Sequence, residues 1–125
     1  LSGPIIDRID LWVPVQHVEY TTLHDAPQEK ESMRVRALVE TVRRTQEKRF
    51  GKLNSALGSN DVQSRSGLAD DAKAQLQLFA QKLRLSPRVY MRTIKVARTI
   101  ADIEGSEQIH VPHILEALQY RPKFE

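Results

Sequence analysis

The chain lacks cysteine altogether and has little glycine or proline, with five and six residues among 125. Without cysteine, neither a disulfide framework nor a zinc site built on thiolates can form. Low-complexity and disordered segments usually contain more glycine and proline than this chain does. No run of about eighteen apolar residues occurs, so no membrane-spanning helix is predicted. Since no signal-peptide pattern is present either, we expect a cytoplasmic protein without a membrane partner.

The motifs of the common enzyme classes are missing as well. The sequence has no GxxxxGK[ST] loop to bind a triphosphate, no apolar strand ending in paired acids for magnesium, and no GxSxG nucleophile turn. His110 and His113 lie three residues apart, but no third ligand accompanies them, so no metal site is predicted. We therefore expect that this chain is not an enzyme by itself.

The chain is mildly basic, with a net charge of +3. This balance permits contact with nucleic acid without requiring it. Five basic residues cluster near the end of one predicted helix: Arg43, Arg44, Lys48, Arg49 and Lys52. They have two interpretations, a weak DNA-phosphate contact or a solvated helix end, and the residue pattern favours the second.

The spacing of apolar residues predicts four helices. The first runs from about 28 to 50, the second from about 69 to 83, and the last starts near Pro112. The third is the best defined, because Ser86 and Pro87 suit a helix start and Gly105 suits a helix end. Its apolar face is the widest of the four, so we expect it to be the central helix of a small bundle.

Two further segments complete the predicted organisation. Ile9, Leu11, Val13 and Val15 alternate with other residues, a spacing that predicts a short edge strand at the N-terminus. Residues 51–67 are rich in turn formers and read as a connector containing a helical turn at 53–57. The predicted fold is therefore mainly α, a bundle of about four helices preceded by a short N-terminal strand.

Four short motifs, in this order, resemble the ComM/YifB branch of magnesium-chelatase-like AAA+ ATPases. They are the opening SGPIIDRID, KLNSAL at 52–57, LSPRVYMRTIKVARTIAD at 85–102, and GSE with EALQYR at 105–107 and 116–121. Each match is weak alone, but four matches in the family's order are specific. The resemblance implies that residues 1–16 are the tail of an AAA+ core and that 17–125 are its C-terminal helical lid, with connector 51–67.

The resemblance also assigns roles to single arginines. Arg8 matches the arginine finger, which acts in trans on nucleotide bound by the neighbouring subunit, and Arg88 matches sensor 2, which contacts the γ-phosphate in its own subunit. Arg92 shares the face of Arg88 and is the second choice for sensor 2. From its own residues, Arg8 has a simpler interpretation, a surface ion pair with Asp7 or Asp10.

Partners and cofactors follow from the same resemblance. It implies ATP and Mg²⁺ in a longer parent protein, with none held by this fragment alone. The partners would be the chain's own AAA+ core, neighbouring subunits of a hexamer, and DNA. An alternative function is a free-standing helical module that binds DNA or protein. A third possible function is that of the motor subunit of the porphyrin chelatase itself. The VARTIAD and EALQYR motifs argue against it.

Overall fold

The computed structural model describes residues 3–17, 20 and 29–122, and these residues are mainly helical. Most of the polar segment expected between 16 and 28 lies outside the described residues. The described ranges hold six α-helices and one 3₁₀ turn: α1 Gly3–Arg8, α2 Glu29–Phe50, the turn Asn54–Ala56, α3 Ser59–Arg65, α4 Asp70–Leu83, α5 Pro87–Glu104 and α6 Val111–Gln119. None of these helices is both long enough and apolar enough to cross a bilayer.

Helix α5 is the centre of the bundle, as its wide apolar face predicted. The Ser86 hydroxyl accepts a hydrogen bond from the backbone N–H of Val89 at 3.2 Å, and Pro87 occupies the first helical position. Gly105 ends the helix at φ 77°, a left-handed conformation that favours glycine. Between these two caps, α5 packs against α2, α3, α6 and the 3₁₀ turn.

The core lies where α4, α5 and α6 meet. Its fully buried members come from several elements: Val62, Ala72, Leu76, Ala97, Ala101, Ile109 and Ile114. Each buried Leu or Ile stabilises the fold by about 1.5–3 kcal/mol relative to an exposed one. The loops before α4 and α6 are joined by a short parallel bridge, in which the Ile109 N–H donates to the Gly67 carbonyl at 2.8 Å.

Helix α2 matches its predicted bounds, but most of the apolar residues that recur along one of its faces are exposed. Of Met33, Ala37, Leu38 and Val42, only Val42 is buried, and Met33 is 69% exposed. A 22-residue helix is about 33 Å long, so its first half has no described bundle element to pack against. The helical period therefore locates α2 correctly, but it does not show which part of its apolar face is buried.

The N-terminal segment differs from the predicted strand. Residues 3–8 form helix α1 and residues 9–17 are irregular, with Val15 88% exposed. The alternating pattern is present in the sequence, but a strand is stable only beside a second strand, and none pairs with it in the described ranges. In the connector 51–67, the helical turn is confirmed at Asn54–Ala56, and α3 is an element that the sequence pattern missed.

Candidate functional site

A groove of about 990 Å³ runs beside α5. One wall is α5 itself, the second is the 3₁₀ turn with α3, and the third is the N-terminal segment. Apolar side chains make up much of the groove, and basic side chains of α5 stand along it. The residues that matter here are Asp10, Leu11, Val13, Leu57, Arg88, Met91, Arg92, Lys95, Ile100 and Tyr120.

Arg88 stands in the first turn of α5, directly after Pro87, and lines the groove. Its side chain is exposed and makes no ion pair or hydrogen bond with any described residue. The N-terminus of a helix carries a partial positive charge, and its free N–H groups favour an anion. A free guanidinium at this place is therefore suited to binding a phosphate group.

Arg92 lies one turn further along α5 and has two partners in the N-terminal segment. Its Nη1 donates to the carbonyl of Ile9 at 3.0 Å, and its Nε approaches Oδ1 of Asp10 at 3.1 Å. Only 12% of the Arg92 side chain is exposed. Two residues after Asp10, the backbone N–H of Trp12 donates to the Tyr120 carbonyl at 2.8 Å. The N-terminal segment is thus attached to the bundle at two points.

Arg8 is the last residue of α1 and immediately precedes Ile9. Its side chain is exposed and has no ion pair within the described residues, while Asp10 pairs with Arg92 instead. The simple interpretation of Arg8 as the partner of Asp7 or Asp10 is therefore wrong. The structure places Arg8 next to the contact between the N-terminal segment and α5, and no described residue pairs with its guanidinium.

A second polar cluster lies on α5, away from Arg88, and is centred on Arg98. The Arg98 side chain is 1% exposed, and burial lowers the pKa of its guanidinium while the neighbouring Asp102 carboxylate opposes that shift. It donates to three carbonyls, those of Ser66 at 2.9 Å, Glu107 at 2.8 Å and Ser106 at 2.6 Å. Arg98 therefore holds together the loops before α4 and after α5, which is a structural role.

Asp102 is the acidic partner of this cluster. It pairs with Arg98 at 3.1 Å and with Arg49 of α2, and it accepts a hydrogen bond from Asn54 Nδ2 at 3.1 Å. A helical period alone would place Asp102 on the exposed face of α5 and Ile103 on the buried face, but Asp102 is buried and Ile103 is 50% exposed. A carboxylate is buried here because two guanidinium groups compensate its charge. The spacing of four residues between Arg98 and Asp102 was the signal available in the sequence.

The predicted basic cluster is divided by the fold. Arg43, Arg44 and Lys48 remain exposed on α2. Arg49 is half-buried on Asp102, and Lys52 pairs with Asp61 at 3.5 Å. The five residues thus do not form one free basic surface. Of the five, only the three exposed residues are placed where they could contact DNA.

The two histidines act within a helix cap. The ring Nδ1 of buried His113 accepts from the backbone N–H of His110 at 2.9 Å, and its Nε2 lies 2.6 Å from Glu104 Oε2. In the described ranges, no three histidine or acidic side chains are grouped so as to hold a metal ion. The pair therefore belongs to the start of α6.

Comparison with known proteins finds a family and relatives that match most of the chain, including its helical bundle. Residues 29–121 match the family model described as magnesium chelatase, subunit ChlI C-terminal. The chain is 42% identical to competence protein ComM of Haemophilus influenzae over 122 residues, which are 97% of this chain and 24% of that protein. It is 37% identical to the uncharacterized protein YifB of Salmonella typhimurium over 123 residues, again 97% of this chain and 24% of the relative. The chain thus spans about a quarter of the length of these relatives.

Proposed function

Because the chain belongs to the magnesium chelatase ChlI C-terminal family, with ComM among its homologues, we propose that it is the helical lid of a ring-forming AAA+ ATPase. In this proposal the nucleotide-binding core belongs to a longer protein, and this chain supplies two arginines to nucleotide sites. Arg88 acts within its own subunit, and Arg8 acts in trans on the neighbouring one.

The free guanidinium of Arg88 at the groove is the observation that carries the proposal. It combines a permanent positive charge with the N-terminus of α5, and no described residue neutralises it. This combination fits the γ-phosphate of ATP. Mg²⁺ and the α- and β-phosphates would be held by the core. Arg88 would thereby sense whether the γ-phosphate is present.

Arg8 fits the role of a finger because its guanidinium is exposed, has no partner among the described residues, and stands on a segment attached to the bundle. Bound ATP supplies a transferable phosphoryl group, and a guanidinium from a neighbouring subunit stabilises the charge that develops on it. Such fingers typically contribute about 10³–10⁵ in rate. Loss of the γ-phosphate would release Arg88 and shift the lid against the next subunit.

We further propose that the complete ring acts on DNA. Arg43, Arg44 and Lys48 of α2 are exposed and could contact DNA phosphates. The alternative, a free-standing module, predicts that the isolated 125-residue chain itself binds DNA and releases it as salt is raised. A ring-dependent function predicts that binding requires the longer protein.

The test is Arg88→Ala in the longer protein, with ATPase activity measured as a function of ATP concentration. We expect a raised KM for ATP or a lost nucleotide response, because the contact to the γ-phosphate is removed. Arg34→Ala, which removes an equal charge from the exposed half of α2, is the matched control and should behave like the wild type. Unchanged kinetics for Arg88→Ala would contradict the sensor assignment.

A further inference from the structure

Arg88 and Arg92 are both arginines and lie one turn apart on α5, yet the two side chains have different surroundings. Arg88 is exposed and has no described partner, whereas the fork of Arg92 holds both the Ile9 carbonyl and the Asp10 carboxylate. Because its Nη1 and Nε already contact two oxygens of the same chain and its side chain is only 12% exposed, Arg92 is less available to an external phosphate than Arg88. The two arginines therefore cannot serve the same purpose.

We infer that Arg92 is a positioning residue that sets the place of Arg8 relative to α5. The inference rests on the proposed function, since it gives Arg92 a role in the trans action of Arg8. Ile9 is the residue directly after Arg8, so the 3.0 Å hydrogen bond from Arg92 fixes the backbone beside the finger. The same side chain belongs to the helix whose first turn carries Arg88.

This link mechanically joins the subunit's own nucleotide site, which Arg88 contacts, to the site of the neighbouring subunit, on which Arg8 acts. A movement of the first turns of α5, caused by gain or loss of the Arg88 contact, passes through Arg92 to the segment that carries Arg8. The Trp12–Tyr120 backbone hydrogen bond holds the same segment four residues after Arg8, at the end of α6. The chain is thus attached to the bundle directly after Arg8, and this attachment limits the positions that the Arg8 guanidinium can reach.

The first experiment uses the 125-residue chain and its single tryptophan. Trp12 lies two residues after Asp10 and its side chain is half-buried, so its emission reports on the seating of the N-terminal segment. We expect Arg92→Gln and Asp10→Asn to shift the emission to longer wavelength. Arg88→Gln, the same change one turn earlier, should leave the emission unchanged. Equal spectra for Arg92→Gln and the wild type would overturn the link.

The second experiment measures ATPase kinetics in the longer protein. If Arg92 acts through Arg8, Arg92→Gln lowers kcat at least about tenfold and leaves KM for ATP within about twofold. A variant that had merely lost its fold would lose ATP binding as well. If Arg92 contacted the cis γ-phosphate itself, KM would rise, and the inference would be wrong.

A double variant completes the test. Because Arg92 is inferred to work through Arg8, adding Arg92→Gln to Arg8→Ala should reduce kcat no further than Arg8→Ala alone. An additive loss would overturn the inference while leaving the finger assignment intact. Full turnover in Arg8→Ala would instead remove the finger assignment, and the inference with it. The two failures are therefore distinguishable.

Discussion

At the scale of single residues, the arginines of α5 differ most in what they contact. Arg88 is exposed and has no partner among the described residues, Arg92 contacts the N-terminal segment, and Arg98 is buried against carbonyls and a carboxylate. The helical period locates all three on α5, but it does not show which of them has partners distant in sequence. Asp102 illustrates the limit, since its burial depends on Arg49, which lies 53 residues earlier.

A residue-scale prediction concerns the buried cluster. Arg98→Met keeps the length of the side chain but leaves three carbonyls without their donor and Asp102 with one cation fewer. We expect the free energy of unfolding to fall by about 3–5 kcal/mol, measured by urea denaturation of the chain. Arg88→Met, on the same helix but exposed, should change it by less than about 0.5 kcal/mol. Equal stability of the two variants would mean that the cluster contributes little.

At the scale of elements, the sequence predicted what depends on local spacing. The cap of Ser86, the position of Pro87 and the end at Gly105 fix α5 within one or two residues, because these signals act between near neighbours. Helix α3 was missed because its seven residues carry a single buried apolar side chain, Val62, too few to show a period. The N-terminal strand was predicted from alternation alone, which cannot supply the second strand that pairing requires.

The two halves of α2 give the prediction at this scale. Val39 is 48% exposed and Val42 is 7% exposed, although both belong to one helix. We expect Val42→Ala to lower the free energy of unfolding by about 2 kcal/mol, because it removes buried methyl groups, and Val39→Ala to change it by less than about 0.5 kcal/mol. Thermal or urea unfolding of both variants measures the difference. Similar losses would show that the first half of α2 is also packed.

At the scale of the whole molecule, the fold brings an N-terminal segment to the start of α5. The family and the helical bundle were predictable, because motifs and periodicity are properties of the sequence itself. The attachment of residues 9–12 was not, since it depends on Arg92 and Tyr120, about 83 and 108 residues away in the chain. This attachment brings the segment that carries Arg8 to the helix that carries Arg88, and neither arginine has an ion pair or hydrogen bond with a described residue.

The most direct measurement mixes two impaired forms of the longer protein, Arg8→Ala and Arg88→Ala, in equal amounts and follows ATP hydrolysis at an ATP concentration where each form alone is slow. If Arg88 acts in cis and Arg8 in trans, a site formed by an Arg8→Ala subunit beside an Arg88→Ala subunit contains both arginines. Random assembly of a ring then restores about one quarter of the wild-type turnover. If both arginines served the same subunit's nucleotide, no mixed ring would contain an intact site. A mixture as inactive as its components would contradict the account.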